Sequence, residues 1–460
     1  MDKPIVTSRL ARGSKLGAVA AAQAVRKRRT RLSMIGRSAE VKARLADESV
    51  LELTTHLVRV LGEMKGLAMK LGQWLSMLDL DLVPPTHREA FQSSLAVLRD
   101  QAPALPFAAM REVIEEDLGR PLAELFADFD PTPIAAASIG QVYRATRHDG
   151  VAVAVKVQYP GIDAAVRADL RNLGLIRTMV AAVLPGFTVA VLDELRTNTE
   201  HELDYTREAS TQQHVSEMFA EHPLLVVPRV FPEQSSRRVM VTEYHPGIRF
   251  DEVRALPTAQ RDRIGEIVYR FYLGSLFEFA EFCGDPHPGN ILLGADGRVV
   301  FLDFGLFKRM DRTHVDFEMT CLRAAAEDRI DDLYQLMLER GVIEDHTLVS
   351  PAECYEYVLS AAEWCLVDEE LTITPDMASS SVLLAIDPRL AEFSGMRKQN
   401  LPPEHLLSRR ADFMTLGTLG QLGATANWHR IAREWLYNEA PTTELGRRHR
   451  QWLTSGRDQR

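Results

Sequence analysis

The stretch GDPHPGNILL (284–293) places a carboxylate, Asp285, five residues before an amide, Asn290. LDFG (302–305) places a second carboxylate, Asp303, thirteen residues after that amide. Hard oxygen groups of this kind suit Mg2+, which takes few protein ligands and keeps the rest of its shell for water and phosphate oxygens. Asn290 and Asp303 are therefore candidate metal ligands, and Asp285 is a candidate to orient or deprotonate an attacking hydroxyl or water. Upstream, the apolar run VAVAVKV (151–157) is interrupted by one lysine, Lys156. A strand this apolar must pair its lysine or use it. A lysine, two metal-ligating groups and a further carboxylate are the parts that phosphoryl transfer requires.

AAASIGQV (135–142) precedes the lysine strand. Protein kinases cover nucleotide phosphates with GxGxxGxV. In that frame the stretch reads Ala135-x-Ala137-x-x-Gly140-x-Val142, with Lys156 fourteen residues further on, across a turn at His148-Asp149-Gly150. Backbone N–H groups from Ala135, Ala136, Ala137 and Ser138 can still face phosphates, but two added Cβ atoms narrow the loop's conformational range. Thr242-Glu243-Tyr244 falls where a kinase hinge offers adenine its backbone groups. A helix-borne carboxylate should partner Lys156, and TNTEHELDYTREAS (197–210) offers Glu200, Glu202, Asp204 and Glu208. Spacing alone does not choose among them.

These groups need elements to hold them. Residues 45–80 are predicted as one long helix, with Leu53, Leu57, Leu61, Met64, Ala68, Leu71, Leu75 and Leu78 at three- and four-residue steps. A second stripe, Gly62, Gly66, Lys70 and Gln73, runs along it. Two glycines cost such a helix about 2 kcal/mol, which suits a backbone laid closely on another surface. QAPALP (101–106) marks a boundary near 105. MREVIEEDLG (110–119) is predicted as a helix stopped by glycine. Strands are predicted at 138–146, 151–157, 224–231 and 237–244, and mostly helix from about 250, apart from 291–303.

In combination these motifs resemble the UbiB/AarF-type atypical kinases of the protein-kinase-like superfamily, over roughly residues 50–310. The resemblance rests on KxGQ at Lys70-Leu71-Gly72-Gln73, the alanine loop, ExD at Glu202-Leu203-Asp204 followed by Glu208, GDPHPGN, and DFG. It implies an α+β, bilobal protein-kinase-like fold with a small antiparallel N-lobe sheet, a helical C-lobe and an N-terminal helical extension over the cleft. The expected organisation is a basic arm (1–44), the KxGQ extension (45–105), the N-lobe (106–245) and the C-lobe (246–460). It also implies that Lys156 contacts phosphates and pairs with Glu208, and that Lys70 and Gln73 cover the cleft with Lys70 near Glu202. An altered ATP/ADP preference, Mg2+ as cofactor, and a role in isoprenoid-quinone or other lipid metabolism are further implications. After DFG there is no APE motif and no long activation segment, which favours a small or lipid-like substrate, or ATP hydrolysis, over phosphorylation of proteins in trans. A nucleotide-sensing scaffold and a small-molecule phosphotransferase are the alternatives.

Composition is that of a globular chain: 46% apolar, 26% charged and net −10. The charge is divided. Residues 1–44 hold twelve basic and two acidic residues, leaving the remainder at net −20. A basic arm on an acidic body points to a polyanion, here an anionic membrane surface; nothing beyond the arm points to nucleic acid. The apolar run 178–192 is short and broken by Pro185-Gly186, and the C-terminal TELGRRHRQWLTSGRDQR is too polar to span a bilayer. The expected location is cytoplasmic and peripheral to membranes, or an organelle if the arm is a transit peptide. Four cysteines without CxxC spacing suit a reducing compartment.

Overall fold

The computed structural model of the protein describes residues 105–137, 139–170, 196–197, 199–386, 392–399 and 402–457. The basic arm, nearly all of the extension with Lys70, Gly72 and Gln73, and Ser138 lie outside them. The chain divides into two compact units, one ending at Ser210 and taking in Arg229–Tyr244, the other formed by Thr211–Pro228 and His245–Arg460.

The first unit is built on a four-stranded antiparallel sheet in chain order: β1 (Asp128–Ala136), β2 (Gly140–Thr146), β3 (Ala152–Gln158) and β4 (Val239–Glu243). In β3, Val153, Val155 and Val157 are fully buried, while Lys156 shares the less buried face with Ala152 and Ala154. Side chains alternate across a strand, so the apolar run hides a two-residue period. The valines pack in one core with Met110, Val113 and Ile114 of helix α1 (Phe107–Leu118). Gly119 ends α1 in the left-handed conformation (φ 67°), where a Cβ would be strained. The sequence does not predict β1, because Pro131 and Pro133 argue against a strand. It lies at the sheet's edge with register shifts at Pro133, and an edge tolerates a residue without an N–H. Helix α2 (Ile162–Leu170) and the first turns of α3 (Tyr205–Met218) complete the unit.

The second unit is mainly helical. It also carries a small sheet in which Leu225–Val226, β8 (Val299–Phe301), β7 (Ile291–Gly294) and β5 (Gly247–Arg249) are neighbours, and a short ladder between β6 (Glu281–Cys283) and β9 (Phe307–Arg309). Its helices include α4 (Thr258–Tyr269), α5 (Ser275–Phe279), α6 (Arg312–Ala326), α7 (Ile330–Glu339), α8 (Pro351–Leu366), α9 (Pro375–Ile386), α10 (Pro403–Leu422), α11 (Trp428–Leu436) and α12 (Glu444–Arg457). They share one core, where Phe271 stacks on Phe301 at 3.8 Å and Trp364, Trp428 and Trp435 surround Tyr269. Arg270, buried, joins Glu434 in two bonds of 2.9 and 2.8 Å and Glu266 at 2.8 Å, so its charge is compensated where water cannot reach. No helix among the described residues is long and apolar enough to cross a membrane. The four cysteines are buried free thiols, and burial pushes the Cys283 thiol up, which makes it a core residue rather than a reactive one.

Candidate functional site

In the first unit, β1 and β2 form a hairpin whose tip is the alanine loop. Ala135 pairs with Val142 and Ala136 with Gln141, and the Ala137 N–H donates to the Gly140 carbonyl at 2.8 Å. Gly140 pairs with Gln158 of β3, and a Cβ there would sit 2.1 Å from the Val157 carbonyl oxygen. Glycine is required at this position by contact, since its φ is not among the positive ones. Lys156 lies between Val142 of β2 and Met240 of β4.

Glu208 sits in the first turn of α3 and accepts from Lys156 Nζ at 2.6 Å. The Glu208 side chain is 5% exposed and that of Lys156 20%, so this charge-assisted bond is largely shielded from water. The Lys156 ammonium also lies 5.0 Å from the centre of the Tyr205 ring. Asp204 acts on the backbone instead, where its Oδ1 accepts from the Thr206 N–H (3.1 Å) and hydroxyl (2.6 Å) at the start of α3. The Glu202 carbonyl accepts from Gln158 Nε2 at 3.4 Å. At the end of β4 the Glu243 N–H donates to Arg229 O (2.8 Å) and the Tyr244 N–H to Ala152 O (3.0 Å). Both amides where the sequence suggests a hinge are thus engaged within the unit.

In the second unit, the β7–β8 hairpin sets Ile291 opposite Phe301, and the Leu302 N–H donates to Asn290 O at 2.8 Å. Asn290 and Asp303, thirteen residues apart in sequence, therefore flank one end of a two-stranded ladder. Asp303 has φ 66°, a left-handed conformation that aspartate tolerates better than most residues and that recurs at functional sites. Its Oδ1 accepts from the Gly305 N–H at 3.1 Å, which fixes the carboxylate. The loop before β7 folds on itself. The His287 N–H donates to Asp285 O (2.7 Å), His287 Nδ1 accepts from the Gly289 N–H (2.9 Å), and the Asn290 N–H donates to His287 O (2.9 Å). His287 shapes the turn. Asp285 Oδ1 meets Arg410 of α10 at 3.1 Å, a contact 125 residues apart that no sequence motif announced. Two hard oxygen groups, one amide and one carboxylate, fit Mg2+ that completes its shell with phosphate and water.

A family model described as the ABC1 atypical kinase-like domain matches residues 97–337. Rat mitochondrial atypical kinase COQ8B is 34% identical over 281 residues, 61% of this chain and 52% of that protein. The Arabidopsis chloroplastic protein ACTIVITY OF BC1 COMPLEX KINASE 8 is 33% identical over 285 residues, 60% of this chain and 37% of that one. The matches span about a third to a half of the length of these curated relatives. A solved structure described as the complex of Rv3197 with erythromycin from Mycobacterium tuberculosis has a TM-score of 0.61 and 32% identity, covering 86% of this chain and 97% of that chain.

Proposed function

The chain belongs to the ABC1 atypical kinase-like family, and from that premise we propose that it is a Mg2+-dependent ATP- or ADP-binding protein that turns ATP over. The observation that carries this reading is the shielded Lys156–Glu208 pair at 2.6 Å, because a strand lysine clamped by a helix glutamate is what kinase-like phosphoryl chemistry requires. In this reading Lys156 holds phosphate oxygens and Glu208 fixes its ammonium. The backbone from Ala135 to Ser138 and at Gly140 borders the phosphates, beside Val142, with the Ala137 N–H held by the Gly140 carbonyl, and Glu243 and Tyr244 border the base. Asn290 and Asp303 hold the metal, which when bound neutralises charge on the phosphates. Asp285 orients the attacking hydroxyl or water. Lys70, Gly72 and Gln73 cover the site together with Glu202 and Asp204.

Helix α6 begins at Arg312, seven residues after the DFG glycine. So short a segment offers no platform for a peptide, which supports a small or lipid-like acceptor, or water. The net +10 of residues 1–44 suits an anionic membrane surface, where each basic residue contributes about 1 kcal/mol. Through the relative named COQ8B, the reading extends to isoprenoid-quinone or other lipid metabolism at that surface. The test is phosphate release from ATP by the full chain, with and without anionic vesicles. Asp285→Asn is expected to lower turnover about 100-fold or more while nucleotide still binds. Equal turnover in that variant would remove Asp285 from the reaction. A second reading, phosphoryl transfer to a hydroxyl-bearing small molecule, is favoured by the erythromycin with which the Mycobacterium tuberculosis protein was solved. Erythromycin that raises ATP consumption and itself gains a phosphate would select it.

A further inference from the structure

We infer that Arg410 is a positioning residue for Asp285, and that α10 is a working part of the catalytic loop although it lies beyond the residues matched by the family model. The inference rests on the reading of Asp285 proposed above.

The loop GDPHPGN contains no lysine or arginine. The cation that meets Asp285 comes instead from α10, with Arg410 Nη2 at 3.1 Å from Oδ1. Leu407, Arg410, Met414 and Thr418, three and four residues apart, share one face of that helix. Leu407, Arg410 and Thr418 meet the loop, and Met414 braces Arg410. Leu407 packs where a side chain on Gly284 would begin, the Thr418 hydroxyl donates to Pro286 O at 3.1 Å, and Met414 Sδ lies 3.4 Å from Arg410 Nε. The opposite face is anchored to the buried Glu318 of α6 through His405 (2.6 Å), Ser408 (2.7 Å) and Arg409 (3.2 Å). The helix is therefore gripped on two sides, and the guanidinium projects from a fixed base.

The exposure of the pair decides what it is for. Arg410 is 23% and Asp285 29% exposed, and an ion pair wetted to that degree adds little to folding. A planar guanidinium on a rigid helix does, however, restrict where a carboxylate points. Orientation of the attacking group is worth large factors in rate and is sensitive to small displacements.

The experiment measures ATP turnover by the full chain as wild type, Arg410→Met, Arg410→Lys, Thr418→Val, Asp285→Asn and Arg410→Met/Asp285→Asn, with melting curves for each. Arg410→Met is expected to lower kcat about 10- to 100-fold with KM for ATP within about twofold, because the loss falls on orientation rather than on nucleotide binding. Arg410→Lys, which keeps the charge, should recover part of that loss. In the Asp285→Asn background the same substitution should cost less than about twofold. Unchanged kcat, an equal rise in KM, or full additivity with Asp285→Asn would overturn the inference. If the wild type binds nucleotide but releases no phosphate, the turnover reading fails, and the inference falls with it, because Asp285 then has no attack to orient.

Discussion

Of the three glycine positions in a kinase phosphate loop, this chain fills two with alanine and keeps one, Gly140. Gly140→Ala tests why. The new Cβ would lie 2.1 Å from the Val157 carbonyl oxygen and 2.9 Å from its carbon, so the backbones of β2 and β3 must part by about 1 Å. Neither is the end of a flexible side chain. The neighbouring Tyr159 N–H to Ile139 O bond, 2.9 Å, would be stretched with them. Overpacking costs about 1–3 kcal/mol and a weakened backbone hydrogen bond about 1 kcal/mol more. Against this, alanine narrows the unfolded chain by about 0.4–1 kcal/mol. The steric effect wins, with a net loss of about 2 kcal/mol, or about 4–8 °C in melting temperature for a unit of this size. Because Val157 follows Lys156, the same displacement should weaken ATP binding several-fold. Differential scanning fluorimetry of the full chain, with an ATP titration, reads both. A Gly140→Ala protein that melts at or above the wild type would refute the close-contact account of this loop.

Glu208→Gln replaces the ion pair with a neutral contact and should cost about 2 kcal/mol, tempered by the partial exposure of Lys156, while raising KM for ATP; a variant unchanged in both melting temperature and KM would contradict that role. Burial, with positive charge from His449, Arg448 and Arg270, pushes His222 down to about 2, so it stays neutral in the fold, where its Nδ1 accepts from the Leu224 and Leu225 N–H groups. The unfolded chain binds that proton from about pH 6.5 downward, so the contribution is complete above 6.5 and is lost as pH falls, by at most about 1.4 kcal/mol per pH unit. His222→Gln should flatten the acid limb of melting temperature against pH between 6.5 and 5, and an unchanged slope would contradict the assignment.

The groups legible in sequence are those fixed by short local structure. Asn290 and Asp303 are held at one distance by a hairpin, so their spacing carries the geometry. Lys156 is legible as one charge in an apolar run. Its partner is not, because spacing alone does not choose among Glu200, Glu202, Asp204 and Glu208. The structure separates them: Asp204 caps the helix, and Glu208, one turn on, faces the strand. Prolines hide β1, whose edge position is a tertiary fact. The strand predicted at 224–231 shrinks to Leu225–Val226 and an isolated bridge from Val230 to Thr242, closed by the Glu243 N–H to Arg229 O and Phe231 N–H to Val241 O bonds. The engagement of the Glu243 and Tyr244 amides with Arg229 and Ala152 depends on segments far away in sequence. Arg410 carries no signal except the spacing of Leu407, Arg410, Met414 and Thr418 along α10, which acquires meaning only beside the loop.

The central claim is that Asp303 and Asn290 bind a nucleotide through Mg2+. Titration calorimetry of ATP and ADP into the full chain, with Mg2+ or with EDTA, beside Asp303→Asn, addresses it directly. Binding that requires Mg2+ and falls at least tenfold in Asp303→Asn is the predicted result. Binding that is indifferent to both metal and substitution, or no binding of either nucleotide, would contradict it.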